Sequence, residues 1–160
     1  MDVAGKKIVI FGGTSGIGLA AAEQLSALGA KVVAVSRNPD RAGTLPAGIT
    51  VEQCDVLDES ALQTLLARLA PFDALVSAAT GGSRAIGPFM EMDLEGFRAS
   101  FAKMWGYANV VRYGVPHLSE TGNVVLVSGA PARRPRPGQV AIGAVGGAVE
   151  NFARTVAREI

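Results

Sequence analysis

Along the chain, short apolar runs alternate with longer stretches whose apolar residues recur at helical spacing. The runs KIVIF (7–11), KVVAVS (31–36), ITVEQC (49–54), DALVSA (73–78) and NVVLVS (123–128) have strand length. Between them the spacing predicts helices over 16–28, 58–69, 93–117 and from 140 to the end, with a short turn near 39–43. In the long helix Phe97, Phe101, Met104 and Ala108 fall at i, i+4, i+7 and i+11, a stripe for burial in the core or against a second copy. Strands separated by helices form βαβ units, so the pattern predicts an α/β protein on a parallel sheet. The prolines of RRPRPG (133–138) forbid a regular helix and mark an exposed loop.

With 160 residues, 49% of them hydrophobic, the chain can bury one core, and residues 1–160 are read as a single domain. Fifteen basic side chains against fourteen acidic ones give no general pull toward nucleic acid or an anionic membrane. No apolar run approaches the roughly 18 residues of a membrane span, and MDVAGKK lacks the pattern of a signal peptide. The expectation is a cytoplasmic protein with neither nucleic acid nor membrane as partner. Cys54 is alone, cannot form an internal disulfide, and is expected as a small buried residue. His117 is expected at a helix end, and no cluster of His, Cys or carboxylates has metal spacing.

The densest chemical signal is VIFGGTSGIG, Val9 to Gly18, where a predicted strand breaks into four glycines and a helix follows. A helix start presents unpaired N–H groups and a positive dipole end, which suits a phosphate. Gly12 would permit the tight turn, Gly16 would let a pyrophosphate approach the backbone, and Gly18 would let the helix lie close to the sheet. No Gly-Lys-Ser/Thr ending follows, which argues against a nucleoside triphosphatase loop. The reading is a dinucleotide cradle, with a merely tight strand-to-helix turn as the alternative.

At these residues the sequence resembles the short-chain dehydrogenase/reductases. GGTSGIG is similar to that family's cofactor loop, CDVLD to its adenine-side Asp-Val pair, FDALVSAAT to the strand that usually ends in Asn-Asn-Ala-Gly, and AVENFARTVAREI to the helix after its active site. The resemblance implies a Rossmann-type, doubly wound sheet of order 3-2-1-4-5 in three αβα layers. It assigns Gly12, Thr14, Ser15, Gly16, Ile17 and Gly18 to the cofactor loop. It further implies that Asp55 accepts from the adenine amino group, Val56 packs on the ring, and Ala78 and Ala79 bring backbone beside the ribose. Family members usually continue through two more strands and a substrate loop, so the expectation is that the chain is a fragment, that the remainder is disordered or removed, or that a partner covers that edge.

The end of the second strand bears on which nicotinamide cofactor is favoured. NAD-binding members put an acid there for the ribose 2′-OH, whereas this chain reads AVSRNPDR, with Ser36 and Arg37. The Arg37 guanidinium can give two parallel charge-assisted hydrogen bonds to a 2′-phosphate, and Thr14 and Ser15 can add hydroxyl donors. NADP(H) is the expected cofactor, against a solvated arginine.

The catalytic half departs from the family. Its reaction uses a Tyr as proton donor, a Lys four residues later, a Ser that holds the substrate oxygen, and an Asn on the long helix. Alignment places Ile142, Gly146, Gly129 and Lys103 at those four positions. Lys103, Trp105, Gly106, Ser128, Gly129, Arg133 and Pro135 are similar to features of a divergent bacterial branch of the family, which implies a cofactor site with altered chemistry. A Lys103 desolvated beside Ile142 would have a lowered pKa and could protonate an alkoxide, with Ser128 orienting the carbonyl. The alternative is a Lys103 paired with Asp93 or Glu95 at the surface. Arg133, Arg134 and Arg136 would either hold an acidic substrate or form a solvated loop.

In the last helix, Gly143, Gly146 and Gly147 cost roughly 1 kcal/mol each against Ala, so close packing must offset them unless the helix begins only near Gly147. The resemblance implies a homo-oligomer through helices 93–117 and 140–160. Two functions stand at this point. One is an NADP(H)-dependent oxidoreductase for a small carbonyl or alcohol substrate, with Lys103 and Ser128 as catalytic residues. The other is a non-catalytic NADP(H)-binding sensor or scaffold.

Overall fold

In a computed structural model of the chain, which describes residues 3–80 and 84–160, the strands are β1 (Lys7–Phe11), β2 (Lys31–Ser36), β3 (Ile49–Gln53), β4 (Phe72–Ser77) and β5 (Leu118–Leu126). They form one sheet of order β3-β2-β1-β4-β5. Strand β1 runs parallel to both β2 and β4, and β2 is parallel to β3. The chain divides into two compact units, Met1–Ala79 with Asn109–Val125, and Thr80–Ala108 with Leu126–Ile160.

The first unit holds the sheet, α1 (Gly16–Ala27) and α2 (Glu59–Leu69). Successive residues of β1 face opposite sides. Ile8 and Ile10 join Ala22 of α1, Val32 and Val76 in one apolar cluster. Val9 and Phe11 join Val33, Val35, Leu62 and Leu66 of α2, and Val110 in the other. A sheet covered on both faces explains why β1 and β2 read as unbroken apolar runs. Helix α2 is capped by Asp58, whose Oδ1 accepts from the Ala61 amide at 3.0 Å, and Arg68 near its end makes two bonds to Glu52 of β3. Cys54 is 5% exposed, and burial followed by the nearby Asp58 and Asp55 pushes its thiol up to about 11. A thiol held protonated in this way is no nucleophile.

Strand β5 differs from its predicted limits of 123–128 by starting at Leu118 and ending at Leu126. The hydrophobic run marked only its second half. The polar first half is anchored instead by the Ser119 hydroxyl, which donates to Asp73 at 3.1 Å. Strands β3 and β4 and helices α1 and α2 lie within one residue of their predicted ends.

The long helix predicted over 93–117 is broken into α3 (Leu94–Ser100), α4 (Ala102–Gly114) and a 3-10 turn at Val115–His117, which places His117 at a helix end. The break at Phe101 has a local cause. Ser100 Oγ donates to the Gly96 carbonyl at 2.9 Å and accepts the Ala85 amide at 3.0 Å, and such i−4 back-bonding bends helices. The predicted stripe is also displaced. Phe97, Phe101, Met104 and Ala108 are half-buried, whereas Ser100, Gly106, Tyr107, Val110, Val111 and Gly114 are the buried positions. Phe97 instead joins an aromatic cluster, its ring 6.1 Å from Phe89 and 5.6 Å from Phe101.

In the second unit α5 spans Val140–Val156, so the glycines lie inside the helix. A β-carbon at Gly146 would stand 2.9 Å from Ala132 Cβ, and one at Gly143 would stand 3.2 Å from the Pro131 carbonyl oxygen. Close packing against the 3-10 turn at Ala130–Ala132 therefore accounts for two of the three glycines, while Gly147 faces open space.

Asp73 ties three strand starts together, accepting from the Lys7 amide (2.9 Å), Lys6 Nζ (3.3 Å) and the Ser119 hydroxyl. The Lys7 amide bond above all holds its carboxyl below the ordinary aspartate range, with Lys6 and Ser119 reinforcing it against desolvation. A lowered folded-state pKa contributes stability above the ordinary aspartate value that is lost as the pH falls through the lowered one. Asp73→Ala is expected to cost about 1–2 kcal/mol at neutral pH, the difference from wild type shrinking below about pH 4, as measured by urea unfolding across pH.

Candidate functional site

The glycine turn sits where β1 ends and α1 begins. The Gly12 amide donates to the Val35 carbonyl at 2.8 Å and the Ala78 amide to the Phe11 carbonyl at 2.9 Å, so the turn is fixed at the carboxyl ends of β2, β1 and β4. Gly12 has φ +77°, and a β-carbon there would lie 2.7 Å from the Ala79 nitrogen. At Gly18 a β-carbon would come within 2.1 Å of the Gly12 carbonyl oxygen, closer than any side chain tolerates. Gly16 has φ +53° and nothing within 4 Å of where a β-carbon would stand, so the turn is open at that point. Gly13, to which the sequence reading gave no role, has the Ile10 carbonyl oxygen at 2.8 Å and Ala34 at 2.9 Å from its β-carbon position.

The first intrahelical bond of α1 runs from the Leu19 amide to the Ser15 carbonyl, leaving the first-turn N–H groups without i−4 partners. Ser15 is the N-cap and is exposed, with its side chain making no capping bond. Thr14 is buried, and Ile17 is 68% exposed, an apolar side chain beside an open turn. Glycines, unpaired amides and an uncovered isoleucine fit a nucleotide pyrophosphate.

At the end of β2, Arg37 Nη1 lies 4.0 Å from Asp55 Oδ2, with both side chains partly exposed. Asp55 Oδ1 accepts the Leu57 amide at 3.0 Å, and Ser36 Oγ accepts the Asn38 amide at 3.3 Å. Val56 is buried, and its carbonyl accepts from Asn109 Nδ2 at 3.1 Å. The first unit thus brings Gly12 to Gly18, Ser36, Arg37, Asp55, Val56, Ala78 and Ala79 to one end of the sheet. Ser77, beside Phe11 in register, is fully buried, and its Oγ has no hydrogen-bond partner.

The second unit holds Lys103 and Ser128. Lys103 is half-buried on α4, with Nζ 5.2 Å from the centre of the Tyr107 ring, a cation–π contact. Burial pushes its ammonium below the ordinary lysine range, and the charge of Arg84 acts in the same direction. The surface pairing with Asp93 or Glu95 is not formed. Asp93 caps α3 through the Glu95 and Gly96 amides, and Glu95 pairs with Arg98. Tyr107 is fully buried, its hydroxyl donating to the Val127 carbonyl at 3.0 Å just beyond β5.

Ser128 Oγ donates to the Gly146 carbonyl (3.1 Å) and to Glu150 Oε1 (3.3 Å). Glu150 Oε2 takes Arg133 Nε at 2.9 Å, so one arginine of the RRPRPG loop is tied to α5. Sequence reading missed Glu150 because Ser128 and Arg133, to which it is hydrogen-bonded, lie 22 and 17 residues from it along the chain. Arg134 and Arg136 remain exposed.

A parallel sheet with a glycine turn at its carboxyl end and a basic side chain at the end of β2 is the architecture of a dinucleotide-dependent enzyme. The family model for short chain dehydrogenases matches residues 6–160, and the chain belongs to that family of nicotinamide-dependent oxidoreductases. It is similar to the short-chain dehydrogenase/reductase prx4 of Penicillium rubens, 29% identical over 142 residues, which cover 82% of this chain and 43% of that protein. It is also similar to human L-xylulose reductase, at 28% identity over 165 residues covering 99% of this chain and 67% of that protein. Among solved structures, a short-chain type dehydrogenase/reductase from Mycobacterium ulcerans superposes with a TM-score of 0.88 at 26% identity, covering 99% of this chain and 64% of that one. The chain spans about half the length of the first curated relatives it matches.

Because its β-carbon has no space against the Gly12 carbonyl, Gly18→Ala is expected to cost about 1–3 kcal/mol and to weaken nicotinamide dinucleotide binding, read by denaturation and by fluorescence titration.

Proposed function

We propose that the chain carries the cofactor domain of an NADP(H)-dependent oxidoreductase acting on a small carbonyl/alcohol pair. The observation that carries this reading is the end of β2, where Arg37 stands in place of an acid and is positioned beside Asp55. A guanidinium there would bond a ribose 2′-phosphate in bidentate fashion, with Thr14 and Ser15 adding donors. The first-turn amides of α1 take the pyrophosphate, Asp55 and Val56 border the adenine, and the Ala78 and Ala79 backbone lies beside the ribose. When bound, the nicotinamide supplies or takes a hydride.

Lys103 is the proton donor and acceptor at the substrate oxygen, and Ser128 holds that oxygen. A lysine whose ammonium is destabilised by burial gives up its proton more readily than an ordinary one. Exposed Trp105 and Leu94, on the segment predicted to meet a second copy, support assembly through α3, α4 and α5.

A second reading rests on the substituted catalytic positions. With Ile142, Gly146 and Gly129 at the family's Tyr, Lys and Ser sites, the chain would hold NADP(H) without consuming it, as a sensor or scaffold.

NADPH is expected to bind more tightly than NADH, and Arg37→Ala to weaken NADPH about tenfold while leaving NADH unchanged, by fluorescence titration. In a screen of small ketones with NADPH, Lys103→Ala is expected to lower turnover about a hundredfold, the scale of one general acid. NADPH binding without turnover of any ketone would favour the sensor, and equal affinity for both cofactors would contradict the role given to Arg37.

A further inference from the structure

We propose that Glu150 positions Ser128 as a hydrogen-bond acceptor, so that the ligand group Ser128 takes is a donor, the O–H of an alcohol rather than a carbonyl oxygen. The inference rests on the reading of Ser128 as the residue that holds the substrate oxygen, and it goes further by fixing which form of the substrate is held.

A serine hydroxyl has one proton to give and two lone pairs to receive with. The contacts of Ser128 Oγ, to the Gly146 carbonyl at 3.1 Å and to Glu150 Oε1 at 3.3 Å, are both to groups that only accept. Both draw on the same proton. What remains toward any ligand is lone pair, and a ketone oxygen finds nothing there to accept. An alcohol hydroxyl does find an acceptor, one whose basicity is raised by the carboxylate behind it.

The device is held from three directions. The Glu150 side chain is only 18% exposed and lies one turn of α5 beyond Gly146. Its second oxygen is occupied by Arg133 Nε at 2.9 Å, with Arg154 Nη1 at 3.9 Å, so the carboxylate cannot turn away from Ser128 without leaving an arginine unpaired. Arg133 first, and Ser128 and Arg154 after it, keep Glu150 below the ordinary glutamate range and therefore charged at neutral pH. Gly146 is part of the same arrangement, since a β-carbon there would stand 3.3 Å from Ser128 Oγ and 2.9 Å from Ala132 Cβ. The glycine at the family's lysine position lets the serine reach the helix carbonyl.

Glu150→Gln tests the orientation specifically. Arg133 can only donate, so it draws the amide oxygen to itself and turns the NH2 toward Ser128. Ser128 Oγ then accepts from glutamine, which fills one of its two lone pairs and removes the negative charge that made it basic, leaving a poorer acceptor toward a ligand. The experiment titrates two probes of matched shape, cyclohexanol and cyclohexanone, into the whole chain without cofactor and follows the Ser128 amide by NMR. The wild type is expected to bind the alcohol about tenfold more tightly than the ketone, the scale of one hydrogen bond. The ratio is expected to fall several-fold in Glu150→Gln and to about one in Ser128→Ala.

A wild-type ratio of one or below, no binding of either probe, or an undiminished ratio in Glu150→Gln would overturn the proposal. NADPH affinity is expected to be the same in Glu150→Gln as in the wild type, which separates a lost orientation from a lost fold. Failure of the wild type to bind NADPH would count against the cofactor reading alone, because the probe ratio is read without cofactor.

Discussion

The approach of α1 to the end of β1 governs the nucleotide end of this protein. Gly18 lies so near the Gly12 carbonyl that a β-carbon would come within 2.1 Å of it, and Gly12 itself turns at φ +77° against Ala79. Only a backbone without side chains closes that turn. Its closure points the free amides of α1 away from the sheet and puts them beside the carboxyl ends of the strands. Arg37, Asp55, Val56, Ala78 and Ala79 follow from the same register, because each lies at or just past the end of β2, β3 or β4. The sheet order and the turn are one constraint seen at two scales.

The two units carry different kinds of order. In the first, two apolar clusters cover the faces of the sheet and supply the rigidity on which the turn depends. In the second, polar contacts carry more of the local detail: the Ser100 bonds that break the long helix, the Tyr107 hydroxyl on Val127, and the Ser128, Glu150 and Arg133 chain along α5. Ser128 is hydrogen-bonded to the Gly146 carbonyl and Glu150, whereas Lys103 is half-buried with its ammonium over the Tyr107 ring.

What could be read in the sequence follows this division. Strands β1 and β2 are apolar on both faces and stand out as runs, and the glycine turn was legible because its conformational demand falls on residue type. Strand β5 was misplaced because its first half is polar and is secured by Ser119 on Asp73, a contact 46 residues away in the chain. The break at Phe101 leaves no trace in hydrophobic spacing, since it comes from a serine choosing the Gly96 carbonyl over solvent. Glu150 was invisible for the same reason as β5, its partner Ser128 lying 22 residues back. Periodicity reports burial, and it is silent on which polar group meets which.

The central claim is that the amides at the start of α1 receive a dinucleotide phosphate, and amide hydrogen exchange tests it directly. With saturating NADPH, exchange at Gly16, Ile17 and Gly18 is expected to slow about tenfold or more, while amides at the centre of α2 stay unchanged. Slowing confined to other parts of the chain, or no change at these three amides despite bound NADPH, would contradict the account.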